Sequence, residues 1–200
     1  MKSADVPLRR DLEAAWADTD ALFALLHDDA WLNVTIPLQH PFCFYLGHLP
    51  AFAYNQVGAL LLGQEPVDTR LDQLFAVGVA PMEAKGESSE QWPDLSAILA
   101  YRDQCRERVL ATFEAVDALD EADPLVAGGR IYRLIIEYEL MHQETLLCMF
   151  AELDHTKKNK PNGYRLPRQV AAPPQSYAYV PAGSVQLGAA WRDEPFLWDN

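Results

Sequence analysis

Residues 137–145 read Glu137-Tyr138-Glu139-Leu140-Met141-His142-Gln143-Glu144-Thr145 and lie inside a longer apolar-periodic run. Ile131, Leu134, Ile135, Tyr138, His142, Thr145, Leu146, Met149 and Leu153 recur at helical spacing, so the run predicts a helix ending near Leu153. Tyr138 and His142 stand one turn apart on its inner stripe. Polar groups on an apolar face are costly unless they find partners, so the pair marks a candidate site.

Upstream, Pro124 and Gly128-Gly129 precede this fourth helix. A third helix is predicted over about 94–120, opened by Trp92-Pro93-Asp94, with Leu95, Ile98, Leu99, Arg102, Cys105, Val109, Phe113, Val116 and Leu119 as its stripe. Arg102 is the odd member. Either a Glu of the fourth helix pairs with it, or its stem packs while its head reaches solvent. Residues 64–92 are broken by Pro66, Gly78, Pro81 and Gly86 and read as a long connection anchored by Phe75-Ala76-Val77-Gly78-Val79.

A second helix is predicted over 41–63. Phe42, Phe44, Tyr45, Leu46, Leu49, Phe52, Val57, Leu60 and Leu61 make it apolar nearly all round, so it is buried on most sides and carries His48 inward. Taken alone, His48 reads more readily as a hydrogen-bonded core residue than as a ligand. The first helix is predicted over 5–27, with a stripe from Leu8 to Leu26; His27 at its end reads equally as a surface cap or a site residue. Four helices with a long crossover between the second and third make a mainly α four-helix bundle over 1–155. A basic, turn-rich linker follows over 156–176. Residues 177–200 then read as strand, turn, strand, the truncated start of a second domain.

Half the residues are hydrophobic, enough for a sizeable core, and the net charge of −13 argues against nucleic acid and anionic membranes. Met1-Lys2-Ser3-Ala4-Asp5 meets charge at once, and no apolar run reaches the ~20 residues of a membrane span. The expectation is a soluble, cytoplasmic protein. Cys43, Cys105 and Cys148 all fall in apolar helical surroundings and read as inert core thiols.

His48 and His142 would supply two imidazoles from two helices, a set that suits Fe, Zn, Cu or Ni. Tyr138 admits three roles: a phenolate ligand, a group bonded to a ligand, or core filling with its hydroxyl satisfied. Glu139-x-x-His142 is a rival pattern, because di-iron bundles use Glu-x-x-His on two helices; a single copy occurs here.

His40-Pro41-Phe42-Cys43-Phe44-Tyr45-Leu46-Gly47-His48-Leu49-Pro50-Ala51-Phe52, Trp92-Pro93 with Tyr101-Arg102, Met141-His142-Gln143-Glu144-Thr145-Leu146 and Tyr179-Val180-Pro181-Ala182-Gly183 occur in this order. Together with the Phe75–Val79 anchor they resemble the non-haem iron sulfoxide synthases, the ergothioneine, ovothiol and selenoneine synthase-like proteins. The resemblance implies a DinB-like four-helix bundle joined to a formylglycine-generating-enzyme-type domain. It implies Fe(II) held by three histidines, of which His48 and His142 match the first and last, while Tyr138 occupies the middle position. It implies O2-dependent C–S or C–Se bond formation on the imidazole of a histidine derivative, with a thiol or selenol donor. Paired arginines that bind the thiol in ergothioneine-type members have no match between Gln64 and Trp92. The same resemblance leaves an alternative: a catalytically silent binding or scaffold domain that lost an iron ligand at Tyr138. A third reading is another metal-dependent DinB-like activity, such as thiol transfer.

Overall fold

The computed structural model describes residues 5–37, 39–75, 92–120, 122–161, 163, 172–185, 187–188, 190, 194 and 196. The chain divides into two units, Met1–Asn159 and Lys160–Asn200. Among the described residues the first unit carries α1 (Asp5–Phe23), α2 (Phe42–Tyr54), α3 (Thr69–Phe75), α4 (Leu95–Ala111), α5 (Phe113–Asp117) and α6 (Arg130–Glu152). Helix α2 packs on α4, α3 and α6, and α1 packs on α6.

The stripe of α1 becomes buried as Leu8, Leu12, Ala15, Trp16, Thr19 and Phe23. The helix stops at Phe23, short of the predicted 27. The cause is a competing partner: the His27 backbone N–H donates to Lys157 O at 2.9 Å, and Asn159 Nδ2 donates to Leu26 O at 2.7 Å. His27 itself is exposed, with Nδ1 3.1 Å from Asp29 Oδ1.

Every residue of α2 except Phe52 is buried, which makes it the central helix of the bundle. Fully burying side chains such as Phe42, Phe75, Ile98 and Met149 stabilises by roughly 1.5–3 kcal/mol each. The chain continues beyond Tyr54 as a wider π-helical stretch, Asn55–Leu61. Gly58 allows the approach of Tyr54, whose ring would lie 2.3 Å from a Cβ placed there.

Two further boundaries differ from expectation. The connection after Gln64 contains the short helix α3, started by Asp68, whose Oδ1 accepts from the N–H groups of Arg70 and Leu71 at 2.9 Å. The remainder of that connection, 76–91, including most of the Phe75–Val79 anchor, lies outside the described residues. The third helix breaks at Thr112 into α4 and α5. Thr112 Oγ1 donates to Val109 O at 2.5 Å and lies 2.9 Å from Tyr132 Oη, a side-chain competition that ends a helix.

Three further expectations are corrected. Arg102 pairs with Asp20 of α1 at 3.2 Å rather than with a Glu of α6, and Arg106 joins the same carboxylate at 2.7 Å. Cys43 and Cys105 are buried, but Cys148 is exposed, because it falls on the outer face of α6. In the second unit the described residues 172–185 form neither helix nor paired strand. Tyr177, Tyr179, Val180, Val185 and Leu187 there are almost fully exposed.

Candidate functional site

Helix α2 offers His48 from its middle, and α6 offers Tyr138 and His142 on successive turns. The structure brings all three together. His48 Nε2 lies 2.8 Å from the Tyr138 hydroxyl, and the His48 and His142 ring centroids are 5.3 Å apart. Tyr138 and His142 approach to 4.4 Å between ring centroids.

The two Nδ1 atoms have carbonyl partners. His48 Nδ1 lies 2.7 Å from Phe75 O, and His142 Nδ1 lies 3.0 Å from Tyr138 O, one turn back along its own helix. A carbonyl oxygen only accepts, so each imidazole donates from Nδ1 and, when neutral, keeps the lone pair on Nε2. Tyr138 therefore donates its hydroxyl proton to His48 Nε2.

Burial sets the protonation states. It pushes His48 down to about 4, aided by the nearby His142 and His40 and opposed by the bond to Phe75. Burial also holds His142 below the usual imidazole range. The Tyr138 phenol is pushed up to about 12, by burial first and by neighbouring Tyr45 second. At neutral pH the site thus holds two neutral imidazoles and a protonated phenol. Aromatic rings pack against it: Phe44 stacks on His48 at 4.7 Å, and Phe52 stacks on Tyr138 at 3.5 Å. Tyr45 closes one side, its hydroxyl donated to Gln39.

This donor set fits a metal ion. Metal-bound imidazoles carry their second N–H on a carbonyl or carboxylate, as both rings do here. Among the described residues no three His, Cys, Asp or Glu side chains gather into a metal site; beside the two imidazoles stands the Tyr138 phenol.

Glu139, the other member of the rival Glu-x-x-His pattern, is buried at 2% exposure and meets Thr19, not the histidines. Burial pushes its carboxyl up to about 7, and its Oε1 has no hydrogen-bond partner among the described residues. Gln143 turns to the same side and donates to Ala15 O and Thr19 Oγ1. A cavity of about 350 Å³ opens elsewhere, between Trp31, Cys43, Trp92 and Ile98, and neither histidine lines it. Two groups at the site escaped the reading of the sequence. The Phe75 carbonyl, being backbone, leaves no side-chain signal. Gly47 had one, a glycine within a helix: a Cβ there would lie 2.4 Å from the Phe75 ring.

The family model of the DinB superfamily matches residues 11–146. Over 98% of its length the chain is 27% identical to ergothioneine biosynthesis protein 1 of Neurospora crassa, of which the match covers 24%. Over 64% of its length it is 26% identical to ergothioneine biosynthesis protein 1 of Schizosaccharomyces pombe, of which the match covers 17%. The chain thus spans about a quarter or less of these curated relatives. The resemblance drawn from the His48 and His142 motifs is borne out at this level, as is the mainly α, DinB-like bundle.

Proposed function

The chain belongs to the DinB superfamily, and on that premise we propose that it is part of a non-haem iron, O2-using enzyme of the sulfoxide synthase type. The enzyme forms a C–S or C–Se bond on the imidazole of a histidine derivative, with a thiol or selenol as donor. The observation that carries this reading is the convergence of His48, Tyr138 and His142, with both Nδ1 protons committed to carbonyls. The similarity to ergothioneine biosynthesis protein 1 supports the substrate class. In this reading residues 177–200 begin a formylglycine-generating-enzyme-type domain, and the protein is cytoplasmic. No helix among the described residues is long and apolar enough to cross a membrane.

His48 and His142 would hold Fe(II) through Nε2, with Tyr138 as the third ligand; the iron, when bound, supplies the redox chemistry that activates O2. The chain's own residues do the rest. Phe75 O and Tyr138 O fix both rings in the tautomer that keeps Nε2 free of a proton. Burial keeps the rings neutral at physiological pH, so no proton has to leave them before they bind. Tyr138 holds its proton on the phenolic oxygen until that proton is displaced. Phe44 and Phe52 stack on His48 and Tyr138 and fix their ring planes.

The test uses the full-length protein reconstituted with Fe(II). O2 uptake should require both a histidine derivative and a thiol, with a product carrying sulfur on the imidazole by mass spectrometry. Uptake independent of both substrates would sink the proposal.

A further inference from the structure

Helix α3 is seven residues long, too short to hold itself in water. Its position is nevertheless the one that matters to His48, because its last residue supplies the carbonyl on Nδ1. What seats α3 is therefore part of the site. Three contacts do so. The Tyr101 hydroxyl of α4 donates to Asp72 Oδ1, one turn before Phe75. The Phe75 ring enters the notch left by Gly47 on α2. The same ring stacks on Tyr101 at 5.7 Å and on Trp92 at 6.4 Å.

Asp72 and Tyr101 are a polar pair in an apolar layer, 8% and 2% exposed. Asp72 Oδ2 has no hydrogen-bond partner among the described residues. Burying such a pair is unfavourable unless each group satisfies the other. An apolar pair of the same size would pack α3 against α4 without fixing its register. A directional bond fixes both the rotation and the height of the short helix. Neither residue touches His48, so any action on it passes through α3.

We propose that Asp72 and Tyr101 are positioning residues for His48: their bond seats α3, and α3 holds the Phe75 carbonyl against Nδ1. Without that carbonyl the imidazole proton redistributes between the two nitrogens, and the fraction carrying a proton on Nε2 has no lone pair there to offer a metal. The consequence for metal affinity rests on the iron reading above; the tautomer itself does not.

The experiment is side-chain 15N NMR of the metal-free 200-residue chain, with the His48 signals assigned by their loss in His48→Gln. The wild type should show one tautomer, protonated at Nδ1. Tyr101→Phe and Asp72→Ala should show a mixture of both. Asp72→Asn keeps an oxygen that accepts from Tyr101 and should restore the single tautomer. Phe113→Leu, a core change on α5 away from α3, serves as the folding control and should leave it unchanged. A folded Tyr101→Phe with the wild-type signature would overturn the proposal, as would loss of that signature in Phe113→Leu. Titration with Fe(II) gives the second reading: Tyr101→Phe should bind roughly tenfold more weakly. A wild type that binds no Fe(II) would defeat the iron reading, while the tautomer comparison would still decide this one.

Discussion

The Tyr138 hydroxyl donates to His48 Nε2 across 2.8 Å, tying the middle of α6 to the middle of α2. Replacing Tyr138 with Phe leaves a buried nitrogen lone pair unsatisfied, which costs about 1–2 kcal/mol. Urea unfolding should show that loss. If Tyr138 also ligates iron, the ferric wild type should show a visible phenolate-to-iron charge-transfer band, and Tyr138→Phe should lack it. A band of equal strength in both proteins would remove Tyr138 from the ligand set.

His48 and Glu139 give opposite pH dependences. His48 titrates near 4 in the folded chain against an ordinary 6.5. The unfolded chain binds more protons between those values, so stability falls as the pH drops from about 6.5 towards 4, by roughly 3 kcal/mol in all. Glu139 titrates near 7 against an ordinary 4.5. There the folded chain binds more protons, so stability falls as the pH rises from about 4.5 through 7. Removing one slope exposes the other. Glu139→Gln should be more stable than wild type at about pH 8, by roughly 1–3 kcal/mol, and should lose stability more steeply on acidification. Thermal unfolding across this range checks it; parallel profiles for the two proteins would contradict it.

Much of this was legible in the sequence because apolar period alone decides it. The stripe from Ile131 to Leu153 gave α6 and placed Tyr138 and His142 on one face, and the all-round apolar run from Phe42 placed His48 inside. What escaped depends on tertiary partners. Thr112 breaks α4 because its hydroxyl donates to Val109 O and accepts from Tyr132, a residue of α6. Arg102 finds Asp20, a residue 82 positions away that no local pattern indicates. Helix α3 did leave a local trace, Asp68 ahead of Leu71 and Phe75, hidden among the prolines and glycines of the crossover.

Gly47 is the side-chain-free position against which the Phe75 ring rests. Gly47→Ala forces the ring outward and should cost about 1–3 kcal/mol through overpacking. It should also disturb the His48 Nδ1 contact with Phe75 O. The His48 15N signals and an unfolding curve measure the two effects separately. An unchanged His48 spectrum would show that Phe75 O follows its ring less closely than the packing implies.

Asp20 binds both Arg102 and Arg106, the latter through two bonds of 2.7 and 3.0 Å. Arg106 also lies over the Trp16 ring at 5.2 Å. Asp20→Ala leaves the Arg106 guanidinium without its carboxylate and Arg102 with Asp103 alone, and should cost about 1–3 kcal/mol. It should not change metal binding, because the network lies on the Glu139 side of α6. Paired unfolding and Fe(II) titrations of this variant check both halves.

In the proposed site His48 and His142 hold one metal ion together. The direct measurement is iron content after anaerobic reconstitution with Fe(II) and removal of the excess, for wild type, His48→Ala and His142→Ala. About one iron per chain is expected in the wild type and almost none in either variant. Iron retained by both variants, or absent from the wild type, would contradict it.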